Sequence, residues 1–94
     1  MKNDILPIGS IVKVGNVDFM ICAYFKSNAE YNGEKYDYAC CLYPSGLGED
    51  IALIKKKNID KVIFIGFQDG RFVKYKEQLM GVKNEWFITY WFSN

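Results

Sequence analysis

Turn signals recur along this chain and separate short runs of β-branched and aromatic residues. Gly15-Asn16 and Asn32-Gly33 are dipeptides that tolerate positive φ, and Pro44 precedes a turn that contains Gly46 and Gly48. Because a two-residue turn of the first type joins antiparallel strands tightly, the pattern predicts hairpin-connected strands. The chain is thereby restricted to a small antiparallel sheet.

Period-two alternation sets the strand boundaries that we expect. On one face of the second strand it places Val17, Phe19, Ile21, Ala23 and Phe25, and the other face is polar only at its ends. The middle of this strand should therefore be covered on both sides. The predicted strands are Ser10–Val14, Val17–Lys26, Lys35–Tyr43 and Lys61–Phe67, with Ile51–Ile54 as a further short strand.

The period changes to that of a helix from Arg71, and Asp69 is placed to cap its N-terminus. The expected fold is α+β: a small, strongly bent antiparallel sheet of four to five strands, SH3-like in one form, with one helix after strand four. A single domain spans residues 1–94, with its core in about 5–92. The predicted helix seam is Phe72, Tyr75, Leu79, Val82 and Trp86.

Charge and hydropathy exclude two classes of partner. The 94 residues carry 12 basic and 11 acidic side chains, which is not the basic surface that nucleic-acid binding requires. No apolar run approaches the roughly 20 residues of a membrane-spanning helix, so no membrane insertion is expected. The N-terminus has an early acidic residue and no apolar signal core, which predicts a cytoplasmic protein.

The residue types do not favour catalysis or a bound metal. The chain has no histidine, and its three cysteines include the adjacent pair Cys40-Cys41, which a strand would point to opposite faces. We therefore predict no metal, no cofactor and no catalytic residue, with all three thiols in the core. A small enzyme that uses Glu49, Asp50 and the lysines is the less favoured alternative, because the acidic pair fits a solvated turn.

Aromatic residues carry the prediction of a protein-binding surface. The C-terminal stretch EWFITYWFSN places six bulky side chains in seven positions, and such clusters are enriched at interface hot spots. Packing wholly within the domain is the alternative, since a small protein needs every large side chain for its core. The candidate partner-binding anchors are Tyr36, Tyr38, Tyr43, Trp86, Tyr90, Trp91 and Phe92.

Three ordered motifs resemble a small uncharacterised family of Gram-positive bacterial proteins. The motifs are LPIGSIV from Leu6, YDY from Tyr36 with LYPSG from Leu42, and IDKVIFIGF from Ile59. In that family they read LPIGSVV, YDYxGxxYPEG and IDEVIFxGY, so the resemblance covers about residues 5–80. This chain departs at Cys40 and Cys41, which replace valine, glycine or a similar small residue, and its aromatic end has no counterpart.

The resemblance implies a function but no catalytic residues. Members are often encoded beside type VII secretion genes and LXG-type toxins, which implies a non-enzymatic accessory protein, a chaperone or targeting adaptor that binds a secretion substrate or toxin. An immunity protein that neutralises a toxin domain is one alternative. A homo-oligomeric binding module is another.

Overall fold

The computed structural model describes residues 5–25 and 30–79, which form one antiparallel sheet and one α-helix. Within these residues, no helix is long and apolar enough to cross a bilayer. The elements are β1 (Ile11–Val14), β2 (Val17–Tyr24), β3 (Tyr38–Leu42), β4 (Ala52–Ile54), a single 3₁₀ turn (Lys56–Asn58), β5 (Lys61–Phe64) and α1 (Gly70–Leu79).

The five strands lie in the order β4-β3-β2-β1-β5, and every neighbouring pair is antiparallel. The predicted α+β class and antiparallel sheet are confirmed. The prediction of a strongly bent sheet is wrong, because β4 and β5 are opposite edges and the sheet stays open. The SH3-like form is not confirmed. The predicted position of the helix after strand four is not confirmed either, because the further short strand forms as β4 and α1 follows β5.

The β1–β2 hairpin forms as the sequence predicts. Val14 pairs with Val17 across the two-residue turn, and Gly15 has a φ of 62°, a conformation that glycine adopts without steric cost. The side chain of Asp60 accepts a hydrogen bond of 2.7 Å from the Gly15 amide. This bond ties the turn to the segment that leads into β5.

The core lies on one face of the sheet, under the N-terminal segment and α1. Hydrogen-bonded neighbours such as Ile21 and Cys40 point to the same side, so apolar residues from successive strands meet there. Phe72 and Leu79 of α1 pack against this cluster. Its buried members are Ile5, Leu6, Val12, Ile21, Tyr38, Cys40 and Ile54.

A β-bulge in β2 changes which residues face the core. Ile21 pairs with Cys40 and Ala23 pairs with Ala39, which leaves Cys22 as an extra residue without a partner on β3. Beyond the bulge, Tyr24 packs against the core and Ala23 is exposed. The prediction that Ala23 shares a face with Ile21 is therefore wrong. Period-two counting does not allow for an inserted residue.

Two tyrosine hydroxyl groups hold the N-terminal segment on the sheet. The Leu6 amide donates to the Tyr38 hydroxyl oxygen at 3.0 Å, and the Tyr24 hydroxyl donates to the Leu6 carbonyl at 2.7 Å. Both polar groups of one peptide residue are thus paired at a position where Leu6 itself is buried. The second tyrosine of the YDY motif is a core residue for this reason.

Ser10 and Gly66 join the first and third motifs directly. The Gly66 amide donates to the Ser10 hydroxyl at 2.9 Å, and both residues are buried. A Cβ atom on Gly66 would lie 2.5 Å from the carbonyl oxygen of Ile8, so the two chain segments approach too closely for any side chain. The glycine is therefore required by contact with the backbone.

Candidate binding groove

An apolar groove lies between the N-terminal half of α1 and the bulged end of β2. Its volume is about 650 Å³, and it is open to solvent. Cys22 and Ala23 contribute its floor at the bulge, and Asp69 and Arg71 add the polar lining. The large apolar and aromatic side chains that line it are Ile8, Tyr24, Phe67, Phe72 and Tyr75.

Asp69 fixes the helix that forms one wall of the groove. Its carboxylate accepts a hydrogen bond of 3.1 Å from the Phe72 amide, which is the N-cap geometry that the sequence predicts. The same carboxylate accepts from the Arg71 side chain at 2.7 Å. The Arg71 bond, followed by the Phe72 bond, lowers the pKa of Asp69, so this carboxylate stays ionised and committed to these partners.

Stacked tyrosines connect the helix wall to the sheet. The rings of Tyr24 and Tyr75 lie 5.7 Å apart, and Tyr24 also contacts Tyr38 at 6.1 Å between ring centres. Burial raises the pKa of Tyr24 to about 12. Its hydroxyl is therefore neutral near pH 7, and it donates to the Leu6 carbonyl.

Phe67 is the most exposed large apolar side chain among the described residues, at 76%. The sequence pattern predicts that Phe67 ends a strand, and it does not place this residue among the anchors. The strand ends at Phe64 instead, and the close approach of Gly66 to Ile8 directs the following chain toward the groove. The signal that could have revealed this is Gly66 itself, since a lone glycine in a strand-like run marks a close backbone contact.

The predicted anchors occupy different environments. Tyr38 is completely buried, so it cannot contact a partner in this structure, and the prediction that it is a surface anchor is corrected. Tyr36 is half-buried beside Phe25, with the Lys55 ammonium 5.4 Å from its ring centre. Tyr43 is exposed just after β3 and does not line the groove. The remaining anchors, Trp86, Tyr90, Trp91 and Phe92, lie outside the described residues.

The charged side chains outside the groove include an ion pair and an acidic turn. Lys55 lies 2.8 Å from Glu34, and this bond is the main cause that raises the pKa of Lys55 and lowers that of Glu34. Glu49 and Asp50 are exposed in the turn between β3 and β4. In residues 5–25 and 30–79, no three cysteine, aspartate or glutamate side chains converge to hold a metal ion.

Comparison with known proteins places the chain in a family. A family model described as a domain of unknown function, DUF4176, matches residues 5–74. The chain belongs to the DUF4176 family. The matched part of this DUF4176 domain runs from the N-terminal segment into α1 and contains all three motifs. No curated protein and no solved structure matches the domain.

The motif residues of this DUF4176 domain make contacts within the fold. Ser10 bonds Gly66, Tyr38 bonds Leu6, and Asp60 bonds Gly15. Asp37, between the two motif tyrosines, accepts a hydrogen bond of 2.7 Å from the Lys56 amide. Of the motif side chains that remain open to solvent, Ile8 and Phe67 line the groove. Other exposed motif residues lie outside it: Leu42, Tyr43, Ile63, Phe64 and Ile65.

Proposed function

We propose that this DUF4176 domain is a non-enzymatic accessory protein, a chaperone or targeting adaptor. It binds a type VII secretion substrate or LXG-type toxin in the cytoplasm, and the groove beside α1 receives an apolar segment of that partner. The observation that carries the proposal is the exposed Phe67 ring at the mouth of an aromatic groove. The resemblance of the three motifs to proteins encoded beside such toxins supplies the partner class.

The composition of the groove supports a protein ligand. Protein–protein hot spots are apolar pockets with aromatic walls and a polar rim, into which a partner inserts a large side chain. Here Phe67 and Tyr75 are the exposed aromatics, and the Asp69–Arg71 pair is the charged rim. Burial of an exposed phenylalanine contributes roughly 1.5–3 kcal/mol, which is enough to serve as an anchor.

The polar groups in the groove favour binding over catalysis. Asp69 is occupied by the helix cap and by Arg71, and the hydroxyl of Tyr24 is bonded to Leu6. Burial and the contact with Cys41 raise the pKa of the Cys22 thiol, which reduces its nucleophilic thiolate at neutral pH. The Asp69 carboxylate and the Tyr24 hydroxyl are thus committed to bonds that hold the fold.

A tagged DUF4176 domain, co-expressed with an LXG-type toxin, tests the proposal. We expect the toxin to be retained by the native domain and lost from Phe67→Asp, because a carboxylate there opposes apolar contact. Leu47→Asp is the matched control, since Leu47 is also highly exposed, at 69%, but lies outside the groove. Both variants should fold, because neither side chain is in the core.

Two results would contradict the proposed role. Failure of the native domain to retain the toxin would show that the toxin is not its partner. Equal retention by both variants would show that the groove is not the binding site. Rescue of cells that express the toxin domain alone would instead assign the immunity function. A rise in molar mass with concentration, measured by light scattering and abolished by Phe67→Asp, would assign the groove to self-association.

A further inference from the structure

The thiols of Cys22 and Cys41 face each other across β2 and β3. Their sulfur atoms are 3.2 Å apart, and Cys41 is 2% exposed whereas Cys22 is half-buried. Cys22 is the extra residue of the β-bulge, between the pairs Ile21–Cys40 and Ala23–Ala39. Cys22 has no pairing partner on β3, and the bulge brings its thiol within contact distance of the Cys41 thiol.

We propose that Cys22 and Cys41 are a site of reversible disulfide formation, and that Cys40 takes no part in it. A disulfide has a sulfur–sulfur distance of about 2.0 Å, so the two sulfur atoms need to approach by roughly 1.2 Å. Side-chain rotation at the irregular Cys22 position can supply this movement. The proposal is independent of the groove's partner.

The position of Cys40 explains its exclusion. Its side chain points into the core and packs with Ile21 and Val12, whereas Cys41 lies on the opposite side of the same strand. Burial raises the pKa of Cys40 to about 12, so the thiolate that would take part in exchange is scarce. Adjacent cysteines in one strand therefore differ in reactivity because the strand separates their environments.

The reaction is thiol–disulfide exchange with a small disulfide as the oxidant. The Cys22 thiolate, as the more accessible of the pair, attacks one sulfur of the small disulfide and releases one small thiolate. The Cys41 thiolate then attacks the Cys22 sulfur and displaces the second. Two protein thiols are oxidised to one disulfide, and the small disulfide is reduced to two thiols, which receive the two protons.

Burial and the bond to Cys41 raise the pKa of Cys22, and this predicts the pH dependence of the reaction. The exchange rate should rise steeply with pH through the alkaline range, because the attacking thiolate becomes more abundant. Once formed, the link joins β2 to β3 beside the groove and closes the chain between residues 22 and 41. The oxidised protein should therefore have a higher melting temperature than the reduced protein.

Incubation with oxidised glutathione, followed by alkylation and peptide mass spectrometry, tests the site. We expect a Cys22–Cys41 link that dithiothreitol reverses, with Cys40 alkylated only after denaturation. Cys22→Ser should abolish the link, and Cys40→Ala is the matched control that should retain it. Cys41→Ser replaces a buried residue, whereas Cys22 is only half-buried, so Cys22→Ser is the decisive variant. Either a stable glutathione adduct on Cys22 without a link, or no reaction of the folded protein, would overturn the proposal, as would a link that includes Cys40.

Discussion

Substitution of Gly66 by alanine tests the contact between the first and third motifs. The new Cβ would lie 2.5 Å from the Ile8 carbonyl oxygen and 2.9 Å from the Ser10 nitrogen. Both neighbours are backbone atoms, which cannot rotate away as a side-chain terminus can. Ordinary contacts of carbon lie near 3.5 Å, so the two segments must separate by about 1 Å.

This separation has two energetic consequences. Overpacking of a tight site typically costs about 1–3 kcal/mol. The same movement would lengthen the 2.9 Å bond between the Gly66 amide and Ser10 beyond hydrogen-bond range, and an unsatisfied buried donor costs about 1–3 kcal/mol. Since one movement causes both losses, we expect the free energy of unfolding to fall by about 2–4 kcal/mol.

Thermal and chemical denaturation, followed by circular dichroism, measure this loss. A domain of this size loses about 4–8 °C in melting temperature for each kcal/mol, so Gly66→Ala should melt at least about 8 °C lower. Gly70→Ala is the matched control, because a Cβ on Gly70 meets no atom within 4 Å and the residue begins α1. The control should be neutral, or stabilising by up to about 1 kcal/mol.

A double-mutant cycle separates the lost bond from the steric clash. Ser10→Ala alone leaves the Gly66 amide without its acceptor, and the combined variant should lose less stability than the sum of the two single variants. A Gly66→Ala protein that unfolds within about 0.5 kcal/mol of the native protein would refute the reasoning. Exact additivity of the two changes would show that the bond and the close approach are unconnected.

Two further predictions concern the core. Tyr38→Phe removes the acceptor of the buried Leu6 amide and should lower the free energy of unfolding by about 1–3 kcal/mol in urea denaturation. The control Tyr43→Phe, at an exposed tyrosine, should change the free energy of unfolding by less than about 0.5 kcal/mol. Equal effects of the two variants would contradict the role of the Leu6–Tyr38 bond. Stability should also fall as the pH rises above 9, because the ordinary thiol and phenol ionise in the unfolded chain while burial holds the pKa values of Cys40 and Tyr24 at about 12. The unfolded state then binds fewer protons than the native state, so the loss from Cys40 extends from pH 9 to about 12 and that from Tyr24 from pH 10 to about 12. Cys40→Ala should make denaturation midpoints less dependent on pH between 9 and 10, and an unchanged dependence would exclude Cys40 as its cause.

Local patterns predicted the elements that depend on neighbouring residues. The Gly15-Asn16 hairpin and the Asp69 cap of α1 both appear where turn and capping preferences place them. Each involves an interaction within a few residues, which the sequence order itself specifies. The first strand and the helix start were predictable for the same reason.

Features that depend on distant contacts were not predictable from local patterns. The bulge at Cys22 moves Tyr24 to the core, where its hydroxyl meets Leu6, and no alternation of residues signals that insertion. Tyr38 looked like a surface anchor because aromatic residues favour interfaces, but the Leu6 amide needs a buried partner. Phe67 was predicted to lie in a strand because its neighbours are β-branched and aromatic. The close approach of Gly66 to Ile8, which is distant in sequence, is not visible in that local pattern.

The bond between Ser10 and Gly66 spans 56 positions in sequence, and this fixes the order in which the domain can be completed. Closing so long a loop is entropically costly and slow relative to forming a hairpin. During synthesis, β1 and β2 can pair early, and the backbone of Gly9 and Ser10 can bond Ile21 of β2, but the Ser10 hydroxyl meets the Gly66 amide only after Gly66 has left the ribosome. The segment around Ser10 is therefore fully secured only after β5 has been made, and an unfinished chain leaves part of the apolar face of its first hairpin uncovered until then.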